Sequence, residues 1–167
     1  MPALGGKIDM VPGRMHGLRV QAQREGRYRG QCAEYCGEQH ARMALEVVAR
    51  PPDAFDAWLA AQAGPAAAPA NAQLARGQAV FLAQRCQACH AVRGVTAGGP
   101  GATLGPDLTH VGSRRTIAAG TLPTHAATLA GWVADPQAHK AGARMPATRT
   151  LDGADLRALA AWLESLQ

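Results

Sequence analysis

Four soft or borderline metal ligands fall at fixed intervals between Gly30 and Met43, in GQCAEYCGEQHARM: Cys32, Cys36, His40 and Met43. Thiolate, thioether and imidazole together select copper over hard cations such as magnesium or calcium. Two cysteines four apart reach one centre if the backbone between them curls, and His40 and Met43 then close round the same point. Structural zinc sites also use cysteine and histidine, but without a thioether, so Met43 favours copper.

A second cluster reads Cys86-Gln-Ala-Cys89-His90. Cys-x-x-Cys-His is the attachment signal for c-type haem. Residues three apart on a helical turn share a face, so both thiols can add across vinyl groups of one porphyrin edge while His90 sits beneath the iron. A zinc knuckle is the rival reading, but it needs a second ligand pair that does not follow in this half of the chain. The sixth ligand follows by elimination: Met145, in GARMPA, is the one methionine after Gly64. A thioether opposite histidine suits electron transfer and raises the potential relative to two imidazoles; His110, His125 and His139 are its competitors.

Cys-x3-Cys-x3-His-x2-Met resembles the loop of the dinuclear CuA centre of haem–copper oxidase subunit II and of nitrous oxide reductase. The flanks Pro2 to Arg14 (PALGGKIDMVPGR) and Tyr28 to Met43 (YRGQCAEYCGEQHARM) are similar to the oxidase subunit. The resemblance implies that Cys32 and Cys36 bridge two coppers and that His40 binds one of them. Met43 is then a weak ligand of the other, and the main-chain carbonyl of Glu34 a further weak ligand. The family has another histidine ligand shortly before the segment matching Pro2, and two transmembrane helices ahead of that; nothing in this sequence corresponds to them. The expectation is a truncated front end and an incomplete copper site. His16, in PGRMHGLRV, lies where the family has no ligand and reads as a surface residue.

From Gln73 to Leu166 the chain resembles class I cytochromes c fused to some oxidases, with CQACH, GPDLTHVGSR and RMP as the distinctive pieces. That resemblance implies a bond from the His90 ring N–H to the Pro106 carbonyl, and Arg114 and Trp132 near the haem propionates. Plain core packing for Trp132 and a surface charge for Arg114 are the alternatives.

Composition bounds the rest. At 167 residues, one or two small domains are expected. Hydrophobic residues make up 47%, enough for packed cores, and no apolar run approaches the length of a membrane helix. A secretory leader is not recognisable either. The net charge of +5 divides into +1 up to Ala63 and +4 from Gly64 onward. The basic residues are scattered, the longest run being Arg114-Arg115, so a solvated surface is expected and not a nucleic-acid partner. The four cysteines form two close pairs, which read as cofactor sites instead of a disulfide framework. Without copper, in an oxidising compartment, Cys32 and Cys36 are expected to join as a disulfide.

Elements must hold these clusters in place. Leu4 to Val11 reads as extended chain ended by the turn Pro12-Gly13, and Leu18 to Gln23 alternates like a half-buried strand. Tyr28 to Gln31 and Ala44 to Ala49 read as strands on either side of the ligand loop. Ligands on a loop between strands suit a β-sandwich or barrel rim, and the resemblance to oxidase subunit II implies that the first domain, residues 1–63, is part of an all-β cupredoxin-like barrel with an open edge. A helix from Asp53, as cap, through Ala61 would cover it with Phe55, Trp58 and Leu59. Residues 64–71, GPAAAPAN, read as a flexible linker. Residues 72–167 then form an all-α cytochrome c domain. Its expected helices are one capped by Asn71 and running to about Gln84, one over Thr124 to Ala134, and one capped by Asp152 and running to about Leu166. Leu156, Leu159, Ala160 and Leu163 make the buried stripe of the last, and Gly94 to Gly105 reads as loop.

Two redox clusters on one tethered chain imply a relay. The resemblance implies subunit II of a caa-type cytochrome c oxidase, on the extracytoplasmic face of a bacterial membrane. It would take electrons from a donor cytochrome or membrane complex to haem c, then CuA, then subunit I, where oxygen is reduced and protons are pumped. The alternatives are a free-standing haem c carrier with a non-functional copper loop, a nitrous oxide reductase-like CuA protein, or a metal-stabilised structural module.

Overall fold

The computed structural model describes residues 1–96 and 104–167, so part of the glycine-rich stretch from Gly94 to Gly105 lies outside the described residues. Two strands carry the first half: β1, Gly26–Gln31, pairs antiparallel with β2, Ala44–Ala49, in a register that sets Gln31 opposite Ala44. The ligand stretch is thus the loop of a long hairpin. Its neck is closed by the Cys32 amide donating to the Met43 carbonyl at 3.0 Å. The Gln31 side-chain amide also donates to the Ala41 and Met43 carbonyls, at 3.2 and 3.0 Å, tying the far side of the loop to the neck.

Several expectations for this half need correcting. The Pro12-Gly13 turn is present, with Gly13 at φ +76°. Leu4, however, belongs to a turn at Met1–Gly5, and Leu18 to Gln23 is not a strand. Alternation marks a strand only where a neighbour supplies its hydrogen bonds, and among the described residues the only partner of either long strand is the other. The barrel is accordingly a single two-stranded hairpin. Helix α1 spans Pro52–Ala63 with Pro51 at its N-cap, so Asp53 lies in the first turn and does not cap it. With no barrel beneath it, its apolar face stays open: Phe55, Trp58 and Leu59 are 45%, 42% and 51% exposed.

The second half has a true core. Helix α2, Ala72–Ala83, is capped by Asn71, whose side chain accepts from the Leu74 amide at 2.9 Å. Helix α5, Gly153–Ser165, is capped by Asp152. The two pack together where Gly77 leaves room for Trp162, whose ring lies 5.2 Å from that of Phe81. Trp162 is completely buried although the expected stripe omitted it. Helix α3, Ala126–Ala134, adds Leu129 and Val133 to the same core. Asp135-Pro136 ends α3 as expected but also starts a short helix α4, Pro136–His139. A small hairpin, β3 (Thr116–Ile117) with β4 (Leu122–Pro123), makes the domain not purely α. Residues 64–71 carry no helix or strand, but the Ala66 amide donates to the Arg93 carbonyl at 2.9 Å, which fastens this stretch to the cytochrome half.

A methyl group added at Gly77 would lie 2.2 Å from the Ala158 carbonyl oxygen and 2.6 Å from Trp162 Cβ. Overpacking costs about 1–3 kcal/mol when side chains can shift. Here backbone is in the way, so Gly77→Ala is expected at the upper end of that range, read as a lowered thermal midpoint of the haem-loaded chain.

Candidate functional site

The hairpin loop gathers the first cluster. Cys36 Sγ lies 3.5 Å from Cys32 Sγ, 3.8 Å from His40 Nδ1 and 3.9 Å from Met43 Sδ, and Cys32 Sγ lies 3.2 Å from the Glu34 carbonyl oxygen. Gly37, at φ +127°, turns the backbone where a side chain would strain it. A 3-10 turn, His40–Arg42, then carries the imidazole back toward the thiols. The Cys36 thiol is pushed above the ordinary cysteine value, first by its hydrogen bond with Cys32. The two cysteines are unpaired here, with both sulfurs available to a metal. Among the described residues, Cys32, Cys36 and His40 are the group with ligand atoms close enough to hold a metal ion, all within 4.8 Å of one another. This soft donor set fits copper. His16 takes no part: its Nδ1 meets the Asp9 carbonyl at 2.7 Å. The ion pair of Lys7 with Glu34, which steadies the loop from outside, had no signal in the sequence.

The second cluster follows α2. Arg85, at φ 57°, breaks the helix, and a 3-10 turn, Cys86–Ala88, brings the Cys89 and His90 amides to the Cys86 carbonyl at 3.1 and 3.0 Å. The His90 ring Nδ1 lies 2.8 Å from the Pro106 carbonyl, which fixes the tautomer and leaves Nε2 as the lone-pair nitrogen. Gly105 is required beside it, because an added Cβ would meet the ring at 2.4 Å. Burial raises the Cys86 thiol above its usual range.

His90, Cys86 and Cys89 face a cavity of about 960 Å³ with Phe81, Leu108, Leu129, Val133 and Leu159 in its apolar walls. Met145 lines it, and so do Arg114 and Trp132. The three competing histidines are engaged elsewhere. His110 Nδ1 and Nε2 meet the carbonyls of Gln167 and Gly64 at 2.8 and 3.2 Å, His125 caps α3, and the His139 ring packs against Gly131. The cradle of Gly105, the oriented imidazole and an apolar cavity with a thioether in its wall fit a covalently held haem.

The same cavity reaches Cys36, His40 and Met43, so both clusters open onto one space. Nothing in the sequence announced this. The β3–β4 hairpin that lines it is built from strands of two residues, too short to give a periodic signal.

Residues 74–167 match the family described as "Cytochrome c", and residues 1–50 match "Cytochrome C oxidase subunit II, periplasmic domain". The chain belongs to the cytochrome c family, with a cytochrome c oxidase subunit II segment ahead of it. Among its relatives is "Cytochrome c oxidase subunit 2" of Alkalihalophilus pseudofirmus, 39% identical over the whole chain and 47% of that relative. The protein of the same description from Bacillus sp. (strain PS3) is 31% identical over 89% of the chain and 43% of the relative. That of Brettanomyces custersianus is 49% identical over 35% of the chain. The chain thus spans about half the length of the two bacterial relatives. The cytochrome c match carries with it covalent haem c, and the subunit II match carries CuA. Among the described residues no helix is long and apolar enough to cross a membrane.

In this cytochrome c fold, Asp107 supports the turn that holds His90. Burial opposes its ionisation, but hydrogen bonds from the Thr109 side chain and amide, with Arg93 and Arg114 nearby, outweigh it and hold the carboxyl below its ordinary value. A depressed carboxylate contributes stability that is complete above its unfolded value of about 4 and disappears as pH falls through the folded value. Asp107→Asn is therefore expected to flatten the loss of stability across that acid window, as read from denaturant midpoints at successive pH values.

Proposed function

We propose that the chain is the electron-input part of a caa-type cytochrome c oxidase subunit II, taking single electrons from an external donor and delivering them toward subunit I. The observation that carries this reading is the one cavity bordered both by the Cys36–His40–Met43 loop and by Cys86, Cys89, His90 and Met145. Bound haem c and the dinuclear copper centre would supply one-electron carriers of low reorganisation. Residues 1–63 would act as the copper segment, 64–71 as the tether and 72–167 as the cytochrome. Cys86 and Cys89 would hold the porphyrin covalently, and His90 and Met145 would hold its iron. Cys32, Cys36, His40, Met43 and the Glu34 carbonyl would be the copper ligands that this chain contributes. Arg114 and Trp132 would neutralise and pack the propionate side.

The subunit would work on the extracytoplasmic side of a membrane, beside subunit I and the other oxidase subunits, where a soluble or membrane-bound donor reaches it. Expression with c-type haem maturation and copper tests the reading. A red protein with sharp α and β bands on reduction, plus stoichiometric copper, is expected. A colourless product overturns it, and haem without copper would instead identify a free-standing carrier.

A further inference from the structure

We propose that the β3–β4 hairpin is the docking element that seats the cytochrome domain on the copper-ligand loop, and that its tip and the Arg115–Glu46 ion pair hold the two clusters face to face. The inference rests on the relay reading above and adds what fixes the relay's geometry.

The tip is costly backbone. Ala118, Ala119 and Gly120 follow one another at φ 53°, 57° and 82°, in the left-handed region that alanine disfavours. Strained backbone of this kind persists where surrounding contacts determine it. The contacts are with the chain leaving the copper loop. The Ala119 carbonyl accepts from the Ala44 amide at 2.9 Å, one residue beyond Met43. Gly120 passes so close that a Cβ there would sit 3.0 Å from that of Ala44. The Thr121 hydroxyl meets the Arg42 carbonyl at 3.3 Å, and the Arg42 guanidinium donates to the His139 carbonyl of α4 at 3.1 Å.

At the base of the hairpin, Arg115 pairs with Glu46 at 3.4 Å. Ala44 and Glu46 are spaced as residues on one face of a strand. The other side of the same hairpin, Thr116 to Ala119, walls the shared cavity. One short element therefore touches the copper loop with its tip and the haem crevice with its flank. A tether by itself only concentrates one domain near the other. These contacts add a defined orientation.

The Ala44 amide reports the docked state directly, with or without copper. Hydrogen exchange is measured on the full haem-loaded chain and on Gly120→Val, Glu46→Arg, Arg115→Glu and the double reversal. Gly120→Val, which sets a β-branched side chain at positive φ, is expected to speed exchange at Ala44 by about tenfold or more. Each single charge reversal is expected to speed it by about threefold at low salt, and the double reversal to return it to the parent rate. The thioether–iron band stays unchanged throughout, which separates undocking from damage to the haem site. An unprotected Ala44 amide in the parent chain, or exchange indifferent to every variant, overturns the proposal. Absence of haem or copper shows separately in the optical spectrum, and counts against the relay reading instead.

Discussion

Met145→Ala is expected to abolish the near-infrared thioether-to-iron band and to lower the haem potential while leaving the haem covalently attached. The thioether lines the cavity that His90 faces, and the three histidines that could replace it are held by carbonyls, a helix start and a glycine contact. Without it, the cytochrome half has no thioether left to hold the iron. Axial ligands set haem potentials over about 0.8 V, and exchange of this one is expected to move the value down by on the order of 0.1 V or more. Spectroelectrochemistry of the purified chain checks both changes. An unaltered band in the variant would mean that another residue ligates the iron.

Cys36→Ser is expected to eliminate copper binding and to leave the haem spectrum as it was. Of the four clustered side chains, Cys36 is the one whose sulfur lies within 4 Å of each of the others' donor atoms. Serine puts a hard, protonated oxygen at that hub, where soft ligands select the metal. Loss of a supporting partner typically weakens a metal site 10–100-fold, so loss of the central sulfur of the donor cluster is expected to exceed about 100-fold. Glu34→Gln is the contrasting variant. The atom beside Cys32 is the main-chain carbonyl, which this change leaves in place, so copper is expected to be retained. Metal analysis with electron paramagnetic resonance reads both.

The ligand spacings were legible because their chemistry is local. Cys32 to Met43 turns back on itself within one loop, and Cys86 to His90 within one turn. The bond from His90 to the Pro106 carbonyl was also anticipated, by resemblance, and is present at 2.8 Å. Helices α2 and α5 announced themselves through Asn71, Asp152 and their apolar spacing. Trp162 did not, because its burial depends on the gap that Gly77 leaves on another helix.

Partner-dependent features were read less well. Among the described residues, Leu18 to Gln23 has a strand's alternation but no strand partner, and Phe55, Trp58 and Leu59 form a helix face that stays about half exposed. The tether looked flexible from composition, yet Gly64 and Ala66 are bonded to His110 and Arg93, residues far along the sequence. The facing of the two clusters was illegible for the same reason. It is created by backbone contacts at Ala119 and Ala44, where side-chain type carries no message.

In the proposed relay, electrons pass between the two clusters inside one chain. Rapid photoreduction of the haem in chain matured with both cofactors tests it most directly, by following haem reoxidation together with bleaching of the copper band. A first-order rate that does not change with protein concentration is the predicted result. A rate that rises in proportion to concentration, or haem that stays reduced beside oxidised copper, would contradict it.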